Sequence, residues 1–221
     1  MSKKHNSQRW LNEHKSDLYV KQAKLAGYRS RAVYKLAQID ARDRLFRPNM
    51  TVIDLGAAPG GWSQWVTKHK QVKVFALDIL PIVPLPGVNF IQGDFREQTV
   101  LDKLLNQLGD DKVDLVMSDM APNISGVKDI DQPRAMLLAE IARDLTYEVL
   151  ATSGHFLSKI FQGEGFDSYV KGLKADFKQV VIRKPEASRS RSSEVYVLAK
   201  HFKKGKGLKI TMTNKEALCH E

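Results

Sequence analysis

The chain is organised around residues 52–65, which read VIDLGAAPGGWSQW. A short apolar run bounded by glycines is typical of a fully buried parallel strand, and a glycine-rich turn and the start of a helix follow it here. Glycines allow the backbone to approach a ligand closely, where a Cβ atom would block it. The stretch therefore predicts a ligand-binding turn between a central strand and a helix.

The spacing of the glycines narrows the class of ligand. It matches neither the dinucleotide motif G-x-G-x-x-G nor a P-loop, and Pro59 lacks the backbone donor that a phosphate cradle needs. Asp54, at the end of the strand, is a poor neighbour for a pyrophosphate but suits a cation. The sulfonium and ammonium groups of S-adenosylmethionine meet that requirement. The alternative interpretation is an ordinary tight turn, and the residues further along the chain weigh against it.

Composition bounds the class of protein. The chain has 221 residues, which is enough for one domain with a sizeable core. No apolar run is long enough to span a membrane, and no secretory signal is visible. The single cysteine, Cys219, excludes a disulfide framework, and the six histidines show no metal-ligand spacing. We expect a cytoplasmic protein that binds no metal and is a monomer.

The charge is unevenly distributed along the chain. Residues 1–50 hold 12 Lys/Arg and 4 Asp/Glu, residues 51–182 hold 13 and 17, and residues 183–209 hold 9 and 2. An acidic central body is therefore flanked by two basic segments, a pattern that indicates a nucleic-acid footprint. The alternative is a basic protein that is merely soluble, but such proteins usually scatter their charge.

Strands and helices alternate from residue 51 onwards, which predicts an α/β fold with a mostly parallel, doubly wound sheet. We expect a basic N-terminal extension at residues 1–29, one domain at residues 30–209 and a C-terminal tail at residues 210–221. Strands are predicted at residues 51–55, 72–77, 89–92, 113–118, 154–161, 177–183 and 194–199, the last two forming an antiparallel hairpin. Helices are predicted at residues 30–45, 61–68, 99–108 and 131–150.

Acidic residues stand where several predicted strands end. Asp78 follows the second strand, about 20 residues after the glycines, where a carboxylate accepts hydrogen bonds from ribose hydroxyls. Asp94 follows the third strand, in a suitable place for an adenine amino group, and Asp119 ends the fourth. Ligands of open α/β sheets bind beyond the carboxyl ends of the strands. One such aspartate is often a turn residue, but three behind a glycine-rich turn indicate a site.

Two lysines lie in unusual surroundings. Lys159 interrupts the apolar run His155–Phe161, where an unpaired cation would be costly. Lys35 adjoins Tyr34 in the first predicted helix. A solvated lysine is the simpler interpretation of Lys35, and a strand-end lysine that reaches water is the simpler one of Lys159. Glu194, at the start of the last strand, would be unremarkable alone.

Four segments together resemble the FtsJ-type 2′-O-ribose RNA methyltransferases. They are residues 54–64, residues 118–123 (SDMAPN), the strand that holds Lys159, and residues 193–196 (SEVY). The resemblance covers about residues 30–201 and is greatest to the compact bacterial branch, the heat-shock methyltransferases E of large-subunit ribosomal RNA. It implies a Rossmann-like class I methyltransferase fold with S-adenosylmethionine as cofactor.

The resemblance also implies site residues. The catalytic Lys-Asp-Lys-Glu tetrad of the family corresponds, in order, to Lys35, Asp119, Lys159 and Glu194. The cofactor contacts of the family correspond to Gly60, Trp62, Asp78, Asp94 and Asp119. Its substrate is a uridine of 23S ribosomal RNA in the large (50S) ribosomal subunit, which we expect as the partner.

The chemistry gives the tetrad a rationale. Methyl transfer to a ribose 2′-hydroxyl requires a positioned hydroxyl and an acceptor for its proton. A free lysine, with a pKa of about 10.4, is protonated at neutral pH, so a lysine base needs burial or a second cation. We expect Lys159 to be the base, Lys35 the second cation and a nucleotide contact, and Asp119 the residue that orients Lys159. Glu194 would hold a lysine or the ribose.

The basic segments suit RNA phosphates, with Arg29, Arg31 and the loop at residues 183–191 as candidate contacts and Tyr34 or Tyr196 as candidate stacking residues. Three alternatives stay open: the same chemistry on transfer RNA, the same chemistry on a messenger cap, or a ribosome-assembly factor that binds RNA without catalysis. A nicotinamide-dependent dehydrogenase is disfavoured by the glycine spacing.

Overall fold

A seven-stranded sheet forms the centre of the fold. The computed structural model describes residues 17–203 except residues 124 and 190. The strands are β1 (Thr51–Leu55), β2 (Lys73–Asp78), β3 (Val88–Gln92), β4 (Val113–Ser118), β5 (Leu150–Phe161), β6 (Phe177–Arg183) and β7 (Glu194–Phe202). Their order in the sheet is β3-β2-β1-β4-β5-β7-β6. The first five are parallel, and β7 runs antiparallel to both β5 and β6.

The described residues form six helices, which lie on the two sides of this sheet. They are α1 (Leu18–Leu25), α2 (Val33–Asp43), α3 (Gly61–His69), α4 (Gln98–Leu108), α5 (Lys128–Val149) and α6 (Phe166–Asp176). One apolar core packs α2 and α3 against one face of the sheet, and a larger core packs α4, α5 and α6 against the other. The predicted α/β class, with its mostly parallel sheet and antiparallel C-terminal strands, is confirmed.

Two helices were not predicted from the sequence. In α6 the buried residues Phe166, Tyr169, Val170 and Leu173 follow the spacing of one helical face, a pattern that the sequence does carry. Helix α1 lies within the predicted N-terminal extension, and Asp17 caps it by accepting hydrogen bonds from the backbone of its first turn.

The remaining elements differ from the predictions mainly at their ends. Strand β5 begins at Leu150, before the predicted residue 154, because Leu150 already pairs with Val113 of β4. The register then shifts, with Ser153 at a φ of 68°, before His155 pairs with Leu115. The predicted tail at residues 210–221 lies outside the described residues. Within the part of the chain that the structure describes, no helix is long and apolar enough to cross a membrane.

Candidate active site

The carboxyl edge of the parallel strands gathers the acidic side chains that the sequence singled out. Strand β1 lies between β2 and β4, so Asp54 in β1, Asp78 at the end of β2 and Asp119 just beyond β4 occupy three adjacent positions. Asp94 follows β3, the next strand outwards. The fold therefore places four carboxylates along the edge where open α/β sheets bind ligands.

The glycine-rich turn after β1 is shaped by contacts with two other segments. Gly60 caps the start of α3 with a φ of 99°, and a Cβ atom there would lie 2.9 Å from Nη1 of Arg29. The Arg29 guanidinium donates hydrogen bonds to the carbonyl oxygens of Pro59, Val83 and Pro84. Arg29 thus ties the turn to the proline-rich loop that follows β2, and both loops border the same edge.

Asp54 is the most deeply buried carboxylate of the edge, with 1% of the residue exposed. Its Oδ2 accepts a hydrogen bond from Ser63 Oγ at 2.7 Å, whereas Oδ1 has no partner. Burial raises the pKa of Asp54 to about 7, and the charges of Asp119 and Asp78 add to this effect against the hydrogen bond from Ser63. An orphaned carboxylate oxygen among further carboxylates suits a cationic ligand, which fits S-adenosylmethionine.

Two of the predicted cofactor aspartates form hydrogen bonds with other groups of the protein. Asp78 accepts hydrogen bonds from the backbone of Ala58 and Leu80, each at 2.8 Å, so it links the glycine-rich turn to the next loop. Asp94 is held by the side chain of Arg96 in a two-oxygen contact. Burial raises the pKa of Asp94, but the bonds and the charge of Arg96 outweigh it, so the pKa lies below its usual value.

The side chain of Trp62, predicted as a cofactor contact, packs inside the protein. Its indole is buried between α2 and the sheet, donates a hydrogen bond to the carbonyl oxygen of Ala32 at 2.8 Å and packs against the ring of Tyr196. Only its backbone, in the first turn of α3, can face a ligand in the turn. The sequence could not separate these two roles.

The four predicted catalytic residues lie together as two ion pairs. Lys159 Nζ is 3.1 Å from Asp119 Oδ1 and also donates a hydrogen bond to the Asp119 carbonyl oxygen. Lys35 Nζ is 2.7 Å from Glu194 Oε1. The side chains of Lys159 and Lys35 are 7% and 13% exposed, so the fold shields both cations from solvent while pairing each with a carboxylate.

Tyr196 connects the two pairs. Its hydroxyl donates to Asp119 Oδ1 at 2.6 Å, and Lys35 Nζ lies 5.7 Å from the centre of its ring. Burial raises the pKa of Asp119, but the charges of Lys159 and Lys35 and the bonds from Tyr196 and Lys159 outweigh it, so the pKa lies below its usual value. The pKa of Tyr196 is raised well above its usual value by burial and by the charges of Asp119 and Glu194. Asp119 is therefore an anion and Tyr196 a fixed hydrogen-bond donor.

Strand register explains how these residues meet. Lys159 in β5 pairs with Tyr196 in β7, and Glu194 at the start of β7 pairs with Phe161. Lys35 arrives from the first turn of α2, whose last residue, Asp43, binds Arg183 of β6 and Lys200 of β7. Helix α2 is thereby fixed to the same pair of strands that carries Glu194.

Tyr196 is not available to stack on a base, contrary to the sequence-based expectation, because its residue is 0% exposed. The alternation of side chains along a strand places residues 194 and 196 on one face, a signal that could have assigned Tyr196 to the site. The expected RNA contacts Arg29 and Arg31 are also engaged within the protein. Arg31 pairs with Asp17 and donates to the carbonyl oxygen of Ala187.

Ser188 is a site residue that the sequence did not single out. Its hydroxyl donates to Glu194 Oε1 at 2.8 Å, and the backbone N–H of Ala187 beside it donates to Gln38 Oε1 of α2. The serine-rich loop between β6 and β7 is thus anchored at Ala187 and Ser188. Over the described ranges, 17–203 without residues 124 and 190, no group of three or more His, Cys, Asp or Glu side chains could hold a metal ion.

Comparison with solved structures supports the fold. A Plasmodium falciparum protein provisionally assigned as a ribosomal RNA methyltransferase is 29% identical, with a TM-score of 0.72 over 79% of this chain and 98% of that one. Human methyltransferase-like protein 13, solved in complex with SAH, is 16% identical, with a TM-score of 0.55 over 82% of this chain and 84% of that one, and shows the fold alone.

A family model supplies the assignment that these structures do not. The model of the FtsJ-like methyltransferases matches residues 28–202, which hold the glycine-rich turn, the strand-end aspartates and all four tetrad positions. From this match the chain belongs to the FtsJ-like methyltransferase family.

Proposed function

We propose that this protein transfers a methyl group from S-adenosylmethionine to a ribose 2′-hydroxyl of RNA, with a uridine of 23S ribosomal RNA in the large subunit as the substrate. The observation that carries the proposal is the placement of Lys159. Its amine is buried against Asp119 at the carboxyl edge of the sheet, beside the glycine-rich turn and Asp54.

Different residues at the carboxyl edge of the sheet would bind different groups of the cofactor. S-adenosylmethionine, when bound, supplies an electrophilic methyl carbon on its sulfonium. Asp54 and Asp119 would balance its positive groups, and Asp78 would accept from its ribose hydroxyls. Gly60 and Trp62, at the start of α3, would contact the ligand through their backbone rather than through side chains.

The hydrogen bonds of Lys159 orient the lone pair of its amine. A neutral amine has two N–H donors and one lone pair, and Asp119 offers two acceptors, its carbonyl oxygen and Oδ1. With both donors used by Asp119, the lone pair is left for the proton of the 2′-hydroxyl. As the oxygen–carbon bond forms, that proton passes to Nζ of Lys159 and the former methyl donor leaves as a neutral thioether.

The second ion pair positions the substrate. Glu194 balances Lys35 and is itself fixed by Ser188, so the Lys35 ammonium is held within the site rather than in solvent. There it can contact the ribose or its phosphate. We propose this role for Lys35 and a positioning role for Glu194.

The substrate is tested by methyl transfer from tritiated S-adenosylmethionine to RNA from cells that lack this protein. Isolated large subunits, naked ribosomal RNA and bulk transfer RNA are offered in parallel to the wild type and to Lys159→Ala. We expect label on the large subunits with the wild type alone. Label only on transfer RNA would overturn the substrate, and no label on any RNA, with cofactor binding intact, would favour a non-catalytic assembly factor.

A further inference from the structure

Six aromatic rings lie in an unbroken row across helices α1, α2 and α3, and we call them the aromatic strip. Neighbouring ring centres are 5.4 Å apart from Tyr19 to Tyr34, 6.2 Å from Tyr34 to Tyr28 and 6.4 Å from Tyr28 to His69. The row continues through Trp65 at 5.3 Å and ends at Phe46 after a further 5.9 Å. His69 is exposed, the three tyrosines and Trp65 are half-buried and Phe46 is buried, so five of the six rings form part of the surface.

Cations lie over the rings of the strip. Arg31 is 5.7 Å from the ring of Tyr19, Lys68 is 5.2 Å from Tyr28 and Lys70 is 5.7 Å from Trp65. Of the three, Arg31 and Lys70 also pair with aspartates, whereas Lys68 is an exposed lysine above a half-exposed ring. Alternating rings and cations are the composition of surfaces that bind single-stranded nucleic acid.

The segment that carries the strip presents no carboxylate to solvent. Residues 17–70 hold ten Lys/Arg, and their only acidic residues are Asp17, Asp40, Asp43 and Asp54. The first three pair with basic side chains and have side chains 11%, 9% and 5% exposed, and Asp54 is fully buried. The surface around the strip is therefore complementary to a polyanion.

One ring of the strip lies beside the active site. Tyr34 immediately precedes Lys35 in the first turn of α2, and from Tyr34 the row runs to Tyr19 on one side and through Tyr28 to His69, the last residue of α3, on the other. A strand of RNA whose target ribose lies at Lys159 would have its neighbouring nucleotides within reach of this surface.

We propose that the aromatic strip binds unpaired nucleotides that flank the target nucleotide of the RNA substrate, by stacking their bases on the half-exposed rings. The inference rests on the proposed function. Stacking requires bases with free faces, which single-stranded loops offer and duplexes do not. Lys68 and the exposed lysines of α1 contact the accompanying phosphates.

Tyr28 allows the strip to be tested with a matched pair of variants. Tyr28→Phe keeps the ring and loses only the hydroxyl bonded to His69. Tyr28→Leu keeps apolar bulk and loses the aromatic face. Lys171→Gln, an exposed lysine of α6 on the opposite face of the sheet, is the control for charge beside Lys68→Gln.

The measurements are equilibrium binding of a fluorescein-labelled single-stranded RNA, binding of its duplex, and the KM and kcat for methylation of the large subunit. Tyr28→Leu should bind the single strand about 5- to 30-fold more weakly, raise KM and leave kcat nearly unchanged. Tyr28→Phe and Lys171→Gln should match the wild type. The duplex should bind weakly and lose little in any Tyr28 variant.

Two results would overturn the inference. The first is equal single-strand affinity of Tyr28→Leu and the wild type, and the second is an equal loss for Tyr28→Phe and Tyr28→Leu. Failure of the proposed function looks different, because the wild type itself would then not methylate the large subunit.

Discussion

The two helical layers that cover the sheet differ in what they present to solvent. Helices α1, α2 and α3 carry five Lys/Arg and two Asp, both Asp buried and paired, whereas α4, α5 and α6 carry six Lys/Arg and eight Asp/Glu. The aromatic residues Phe166 and Tyr169 of α6 are buried in the core, but Tyr28 and Trp65 of the first layer stay partly exposed.

The two helical layers therefore differ in surface charge, which the net charge of the chain does not show. The formal charge of +10 describes neither layer, because one layer buries the side chains of both its acids and the other exposes four of its eight. We infer that the first layer contacts the RNA and that the second layer stabilises the sheet. Lys159, the proposed base on β5, lies between them at the carboxyl edge.

The largest effect is expected at Lys159. Lys159→Ala removes the proposed proton acceptor, so kcat for methyl transfer should fall by at least about 100-fold, the low end of general base catalysis. Cofactor affinity, measured by calorimetry, should be close to that of the wild type. Lys171→Ala in the second layer is the control. A comparable loss of activity there would show that the second layer does more than stabilise the sheet.

Tyr196→Phe should have the next largest effect. It removes the hydrogen bond to Asp119 without changing the buried ring, and bonds to charged acceptors are worth enough to expect a kcat roughly 10- to 30-fold lower. Because this bond lowers the pKa of Asp119, its loss should raise that pKa, which NMR titration of the carboxyl group measures. A titration and a rate identical to those of the wild type would show that Tyr196 does not position Asp119.

Removal of two lysines from each layer in turn tests which layer contacts the RNA. Lys24→Gln with Lys68→Gln should weaken RNA binding roughly fivefold and flatten the dependence of log affinity on log salt by about 0.7 per charge. Lys103→Gln with Lys171→Gln removes the same charge from the second layer and should change neither quantity. Equal losses in both double variants would mean that only net charge matters.

The smallest effect concerns Asp54, whose pKa is raised to about 7. The native state binds more protons there than the unfolded state, so stability should fall as the pH rises from about 4 to about 7. A bound cation favours the carboxylate, so affinity for S-adenosylmethionine should rise about threefold from about pH 6.5 to about pH 7.5. Asp54→Asn should abolish both trends, and a wild-type slope in that variant would remove Asp54 from the cofactor site.

The sequence predicted the parallel strands well because each is a short apolar run bounded by turn residues. It also predicted all four residues that form the two ion pairs, because their segments carry the family resemblance. It did not predict which lysine meets which carboxylate, since Lys35 and Glu194 are far apart in the chain and meet only through the packing of α2 against β7. Tyr196 was assigned to the surface because an exposed and a buried tyrosine look alike in sequence.

Alkaline hydrolysis of the labelled RNA tests whether the methyl group goes to a ribose 2′-oxygen with Lys159 as the base. A 2′-O-methyl group removes the hydroxyl that attacks the neighbouring phosphate, so the tritium should remain in an alkali-resistant dinucleotide, and Lys159→Ala should give none. Tritium in mononucleotides would mean methylation of a base and would contradict the account, as would dinucleotide label from Lys159→Ala at the wild-type rate.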